Sequence, residues 1–139
     1  MVYIEYELYL MRYHNIQRIY DHILAEKERL FQETQSKAIN YEPDKISGTA
    51  PTNKFDKYLI LMEEEEIEKR LSEAKQIIAD REKLLEMKEA ELRVSNHVFD
   101  KIYRMRYLDH MSPKTIGNRL GYSKSQVYRI LNKIEKNRF

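Results

Sequence analysis

Two long stretches without glycine or proline constrain the fold of this 139-residue chain most strongly. In the first stretch, residues 2–36, apolar side chains recur every seven residues at Tyr9, Ile16, Ile23 and Leu30. This spacing places all four side chains on one face of a helix, as in a coiled-coil seam. The sequence therefore predicts a long N-terminal helix with a single apolar stripe.

The second stretch, residues 55–93, carries the same pattern. Leu71, Ile78, Leu85 and Leu92 recur every seven residues along it. A companion row three or four residues away is interrupted by charged side chains, and interruptions of this kind set helix register and partner choice. We therefore predict a second long helix that packs against the first.

The segment between the two stretches, at about residues 39–54, is predicted to be a loop. It contains Pro43, Gly48 and Pro51 and shows no apolar repeat. Two helices of similar length joined by one loop favour an antiparallel hairpin over residues 1–94. Its seams can close within one chain or between two chains, so a homodimer through the hairpin is a second reading of the same pattern.

Charge divides the chain unevenly. Residues 1–94 sum to −5 and residues 95–139 sum to +7, which gives the net charge of +2. A basic tail that follows an acidic body predicts that the tail binds a polyanion and that the body contacts a different kind of partner.

The sequence favours a location away from membranes. No uncharged run approaches the roughly 18 residues that a membrane-spanning helix needs. Glu5 and Glu7 interrupt the apolar N-terminal stretch, which makes it a poor signal peptide. Cysteine is absent, which is compatible with a reducing cytoplasm. We expect a cytoplasmic protein without a membrane partner.

No catalytic pattern is present in the sequence. We find no nucleophile–base motif, no glycine-rich phosphate loop and no paired catalytic carboxylates. The histidines, His14, His22, His97 and His110, do not have metal-ligand spacing. We expect neither enzyme activity nor a metal or other cofactor.

The last third of the chain contains residues that typically begin and end short helices. Ser95 or Asn96 is expected to cap a helix that runs to about Leu108. Ser112 is a suitable N-cap for a further helix, and Pro113 suits its first position because a proline has no N–H to leave unpaired there.

A tight turn follows, with two of the three glycines of the chain four residues apart. Gly121 ends the helix Pro113–Leu120 because a turn of this kind needs left-handed backbone. Ser123 then caps a last helix, Lys124 to about Lys136, and Gly117 allows close approach of the two helices. These features predict an all-α chain that ends in a helix-turn-helix domain over residues 95–139.

The outward face of the last helix predicts contacts with double-stranded DNA, because recognition helices enter the major groove by their N-terminal part. The candidates for reading bases are Lys124, Ser125, Gln126, Tyr128 and Arg129. The candidates for contacting phosphates are Lys114, Thr115, Arg119, Ser123, Asn132 and Lys133, and Lys124 fits this set as well.

The stretch KIYRMRYLDHMSPKTIGNRLGYSKSQVYRILNKIEK, residues 101–136, resembles region four of bacterial sigma factors, which reads the promoter −35 element. Regions two and three of those factors have no counterpart in the chain. A long acidic helical pair followed by such a tail is similar to small phage and prophage transcription regulators, including the ArpU/RinA-type late-gene activators. The resemblance implies activation of phage late genes together with the RNA polymerase of a bacterial host.

Two other functions fit the same pattern. A small terminase-like subunit for phage DNA packaging would also combine a helix-turn-helix with long helices, in a ring of many copies. A helical adaptor that binds RNA polymerase without DNA would use the same helices for protein contacts alone.

Overall fold

The computed structural model describes residues 1–39 and 51–138, with side chains for 1–34 and 57–138. These residues form five α-helices and no strand, which confirms the predicted all-α class. The helices are α1 (Val2–Ile39), α2 (Pro51–Val94), α3 (Val98–Tyr103), α4 (Pro113–Leu120) and α5 (Lys124–Lys136). Within this part of the chain, no helix has the length and apolar character needed to cross a membrane.

Helical structure continues into both ends of the segment predicted as a loop. α1 runs to Ile39, and α2 already begins at Pro51. Proline is tolerated in the first turn of a helix because the N–H groups there lack intrahelical partners. The rest of the predicted loop, residues 40–50, lies outside the described residues.

Contacts between residues divide the chain into two compact units. The terminal unit contains Met1–His14 and the described residues from Ala79 onward. The mid-chain unit contains the described residues of Asn15–Ile78. The first turns of α1 thus belong with the C-terminal helices, and no sequence pattern indicated this grouping. The division into a hairpin over 1–94 and a domain over 95–139 stays a prediction.

The mid-chain unit is an antiparallel pair of helical segments, so the predicted pairing of the first and second helices is confirmed. Its buried core consists of Ile16, Ile23, Ile67, Leu71 and Ala74, which come from the seven-residue rows of both helices. Two ion pairs flank this seam. Arg70 lies 3.0 Å from Glu26, and Lys27 lies 2.5 Å from Glu68.

The terminal unit has a core to which every helix contributes. Tyr3 and Tyr6 of α1 pack with side chains of α2, α3, α4 and α5. The fully buried members from those helices are Leu92, Ile102, Tyr103, Ile116, Val127 and Ile134. The rings of Tyr3 and Tyr103 stack, with 5.3 Å between their centroids.

A buried aspartate joins the start of α1 to α3. Asp100 is 1% exposed, and its carboxylate accepts hydrogen bonds from the backbone N–H groups of Val2 (3.2 Å) and Tyr3 (3.0 Å). The hydroxyl of Ser95 donates to the same carboxylate at 2.6 Å. The first N–H groups of a helix have no intrahelical partners. Asp100 therefore caps α1 from a position almost one hundred residues away in sequence.

A second buried carboxylate joins α1 to the far end of α5. Glu7 is 7% exposed and accepts hydrogen bonds from the Tyr103 hydroxyl and from Nε of Arg138, the latter at 3.0 Å. The Arg138 guanidinium also lies over the Tyr107 ring, 4.3 Å from its centroid. Burial raises the pKa of Tyr103, and the bond to Glu7 raises it further. Tyr103 is therefore a neutral donor well above neutral pH.

The helix that was predicted to run to about Leu108 differs from that expectation in two ways. His97 is its N-cap, in place of Ser95 or Asn96, because Nδ1 of His97 accepts the N–H of Phe99 at 3.2 Å. Ser95 instead binds Asp100. The α-helical part ends at Tyr103, and residues Arg104–Leu108 continue as a π-helix.

Candidate nucleic-acid interface

The turn between α4 and α5 depends on two glycines. Gly121 has φ of 75°, and its N–H donates to the carbonyl of Gly117. The N–H of Tyr122 donates to the same carbonyl at 2.9 Å. A Cβ atom at Gly117 would lie 2.6 Å from the Tyr122 carbonyl oxygen. This contact is too close, and only a shift of the backbone would relieve it. The turn thus needs Gly121 for its left-handed backbone and Gly117 for the close approach of the Tyr122 carbonyl.

The N-termini of both helices are capped by serine side chains. Ser112 caps α4 by accepting the N–H of Thr115 at 3.3 Å, and Pro113 occupies the first helical position. Ser123 caps α5 by accepting the N–H of Gln126 at 3.2 Å. Each cap fixes where its helix starts, so the caps set which side chains of the two helices face outward.

α5 divides cleanly into an inner and an outer face. Val127, Leu131 and Ile134 are buried against the core of the terminal unit. All eleven residues predicted to contact bases or phosphates are exposed: Lys114, Thr115, Arg119, Ser123, Lys124, Ser125, Gln126, Tyr128, Arg129, Asn132 and Lys133. Of the two turn glycines, Gly117 is buried and Gly121 is exposed. At about 100° per residue, Ser125, Arg129 and Lys136 point most directly away from the core, and Asn132 lies next to them.

Gln126 has a structural role that its assignment to base reading did not include. Its side-chain oxygen accepts the N–H of Ser123 at 3.0 Å, which completes a capping box with the Ser123 hydroxyl. Bidentate reading of adenine needs both the oxygen and the nitrogen of the amide. Gln126 would have to leave the capping box to read adenine in this way. The Ser-x-x-Gln spacing that marks a capping box was visible in the sequence.

Tyr128 is the large exposed aromatic side chain of α5, with 46% of its surface accessible. The Lys124 ammonium lies 5.8 Å from the centre of its ring. A cation near an aromatic face is attracted by the ring quadrupole. This contact holds an apolar ring and a positive charge side by side in the first two turns of α5.

The outer surface of α4 and α5 is strongly positive. Residues 112–138 contain seven basic side chains and one acidic side chain, Glu135. Among the described residues, six of the seven form no ion pair with a carboxylate: Lys114, Arg119, Lys124, Arg129, Lys133 and Lys136. All six are exposed. We call these six side chains the cationic face.

The other arginines of the terminal unit's C-terminal part are engaged in the fold. Arg104 donates to the carbonyls of Leu92 and Arg93, where α2 ends. Arg106 donates to the carbonyl of Met111 at 3.1 Å, and Arg138 pairs with Glu7. The basic excess of the tail therefore has two parts, one that holds the unit together and one that is free to bind a ligand.

The carboxylates that support this surface were missed by sequence reasoning. Glu7 and Asp100 touch no predicted contact residue, yet they attach α1 to Arg138 and to α3. An acidic residue inside an otherwise apolar stretch was the available signal for Glu7. Asp100 carried no comparable signal, because it is one charged residue of a short amphipathic helix. In the described part of the chain, no group of three or more His, Asp or Glu side chains could hold a metal ion.

Comparison with known proteins identifies a family and gives no activity. A family described as "Protein of unknown function (DUF1492)" matches residues 35–138, three quarters of the chain, so the chain belongs to that family. No curated protein and no solved structure matches the chain.

Proposed function

We propose that this member of the DUF1492 family is a transcription regulator that binds double-stranded DNA sequence-specifically through α4 and α5. The observation that carries the proposal is the cationic face, six exposed basic side chains without carboxylate partners on two capped helices. Free cations on a rigid surface release counterions from DNA when they neutralise phosphates. The same helices expose polar and aromatic side chains suited to base edges.

The two helices would have different tasks on DNA. α5 would enter the major groove, with Arg129 and Ser125 at the centre of its outward face and Asn132 one turn further along. Arg129 is suited to guanine, whose O6 and N7 atoms match the guanidinium fork. Tyr128 and Lys124 border this row on one side. Gln126, held in its capping box, would contact DNA through its amide nitrogen alone.

The phosphate contacts would come from the edges of the motif. Lys114 and Thr115 lie in the first turn of α4, where the helix N-terminus adds favourable potential for an anion. Arg119 and Lys133 lie on the exposed sides of α4 and α5. Contacts of this kind set the position of the protein on the duplex and carry no sequence information by themselves.

The resemblance to sigma region four and to phage regulators extends the proposal to a role. We propose that the chain activates phage or prophage late genes with the RNA polymerase of its bacterial host. The mid-chain unit, with its acidic run Glu63–Glu66 exposed, would provide a surface for a protein partner.

Binding of the purified chain to a labelled pool of fragments from its own genome neighbourhood, at two salt concentrations, tests the proposal. We expect salt-sensitive binding with one preferred fragment, which would contain the operator. Absence of duplex binding at low salt would contradict direct DNA recognition and would favour the adaptor that binds protein alone. Light scattering on the same sample distinguishes a regulator of one to four copies from a packaging ring of eight or more.

A further inference from the structure

Tyr128 differs from the other tyrosines of the C-terminal helices in its exposure. Among the described residues 95–138 it is the one large apolar side chain that is exposed, whereas Tyr103 is buried and Tyr107 and Tyr122 are half-buried. The hydroxyls of Tyr103 and Tyr107 are hydrogen-bonded within the fold. In the described part of the chain the Tyr128 hydroxyl has no such partner. The fold therefore leaves this side chain free for a ligand.

The ring lies between two kinds of predicted DNA contact on α5. At about 100° per residue, Tyr128 is about 40° from Lys124 on one side and about 60° from Ser125 on the other. Ser125 belongs to the row assigned to bases, and Lys124 fits a phosphate. Helical side chains lean toward the N-terminus, and the Lys124 ammonium lies 5.8 Å from the centre of the ring. The ring thus lies over the first turn of α5, the part that a recognition helix inserts into the major groove.

The chemistry of the major groove selects a ligand for such a ring. The C5-methyl group of thymine is the apolar feature in the donor and acceptor code of that groove. It projects from the edge of the base pair that is nearest to the sugar–phosphate backbone of its own strand. A side chain placed between a phosphate contact and the base-reading row faces this edge.

We propose that Tyr128 selects a thymine in the operator by packing its ring against the C5-methyl group. This inference rests on the proposed function, because it needs α5 in the major groove. Lys124, held beside the ring, would contact a phosphate of the thymine strand. The contact uses the apolar surface of the ring and leaves the hydroxyl out, so phenylalanine at this position would select the same base.

The charges on this side of α5 orient the strand. Glu135 lies about 20° from the direction of Tyr128 and would repel a phosphate. It is seven residues further along the helix, about 10 Å along the axis, and its carboxylate accepts the Tyr107 hydroxyl at 3.4 Å. The strand whose thymine contacts Tyr128 would therefore cross α5 at the Lys124 end and avoid the Glu135 end.

Uracil substitution tests the contact, because deoxyuridine differs from thymidine only in lacking the methyl group. The thymines of the preferred duplex are replaced one at a time, and the affinity of the full chain is read by fluorescence anisotropy. We expect one position at which uracil lowers the affinity of the wild-type chain about fourfold, the effect of losing roughly one buried CH₂-sized group. Tyr128→Ala should bind the thymine and uracil duplexes equally at that position, whereas Tyr128→Phe should keep the fourfold ratio.

Lys133→Ala is the matched control, because Lys133 is exposed on the same helix about 140° from Tyr128. It should weaken binding to both duplexes and keep the fourfold ratio. Wild-type binding that no uracil weakens, or an equal uracil effect in Tyr128→Ala, would overturn the inference and leave the proposed function intact. Equal losses from Tyr128→Phe and Tyr128→Ala on every duplex would assign the hydroxyl to a phosphate and overturn the inference as well. A chain that binds no duplex would contradict the proposed function and, with it, this inference.

Discussion

The two units of the chain are stabilised in different ways. The mid-chain unit is a pair of helical segments with a periodic seam, Ile16 and Ile23 against Ile67, Leu71 and Ala74. The ion pairs Lys27–Glu68 and Arg70–Glu26 lie at the margins of this seam and are partly exposed to solvent. The register of such a seam is set by repetition, because neighbouring layers make the same kind of contact.

The terminal unit relies on single residues that cannot exchange roles. Asp100 caps α1, and Glu7 accepts hydrogen bonds from Arg138 and Tyr103. Ser112 caps α4, and Ser123 caps α5. The contacts of Asp100 and Glu7 fix one helix relative to another, and the serine caps fix where α4 and α5 begin. The comparison teaches that the geometry-defining polar contacts are concentrated in the unit that presents the cationic face. A binding surface of fixed geometry needs such rigid support.

Among the substitutions that test this contrast, replacing Asp100 should lower the free energy of unfolding most. Asp100→Ala removes the cap of α1 and leaves the N–H groups of Val2 and Tyr3 buried or half-buried without an acceptor. We expect a loss of about 3 kcal/mol in the free energy of unfolding, since each unpaired buried group costs roughly 1–3 kcal/mol. Urea unfolding followed by circular dichroism measures this loss. A change below about 1 kcal/mol would show that solvent can replace the cap.

Adding a methyl group should lower the free energy of unfolding by different amounts at the two glycines of the turn. Gly117→Ala forces its Cβ against the Tyr122 carbonyl oxygen, and we expect a loss of about 2–3 kcal/mol from overpacking. Gly121→Ala meets no atom within 4 Å, so its cost should be the left-handed backbone alone, about 1–2 kcal/mol. Thermal unfolding of the two variants provides the comparison. The reverse order would mean that the backbone relaxes at Gly117 more easily than the geometry indicates.

Alkaline pH should weaken the terminal unit selectively. Burial raises the pKa of Tyr103 above its usual 10.0, with a further rise from the hydrogen bond to Glu7. A raised pKa in the folded state contributes stability that is complete below pH 10 and is lost as pH rises beyond it. The urea midpoint should therefore fall above pH 10, and less steeply in Tyr103→Phe. Identical slopes for both proteins would contradict this role of Tyr103.

The smallest effect is expected in the mid-chain unit. Arg70→Ala removes the ion pair with Glu26, whose partners are 42% and 28% exposed. Exposed pairs contribute about 0.2–1 kcal/mol, so we expect a loss near 0.5 kcal/mol that shrinks with added salt. Unfolding at low and high salt measures it. A loss as large as that of Asp100→Ala would remove the contrast between the units.

Local features of the fold were predictable from the sequence, and long-range ones were not. The helices could be located from the seven-residue rows and from Ser112, Pro113 and Gly121. These signals are local because periodicity and capping depend on residues within one or two helical turns. The same reasoning placed the outward side chains of α5, since periodicity determines which face is buried. The capping of α1 by Asp100 joins residues almost one hundred positions apart, and no local pattern specifies such a contact. The cap of α3 was also mispredicted, because Ser95 hydrogen-bonds the Asp100 carboxylate and His97 caps the helix in its place.

Binding of matched variants to two duplexes tests the central claim, sequence-specific recognition through α5, most directly. The duplexes are the preferred fragment and a random sequence of equal length, and the variants are Arg129→Ala and Lys133→Ala, read by fluorescence anisotropy at two salt concentrations. We predict that Arg129→Ala loses about 1–3 kcal/mol on the preferred duplex and little on the random one. Lys133→Ala should weaken both equally and lower the salt dependence by about one charge. Equal losses for Arg129→Ala on both duplexes would contradict base reading by Arg129, and no duplex binding by the wild-type chain would contradict the account as a whole.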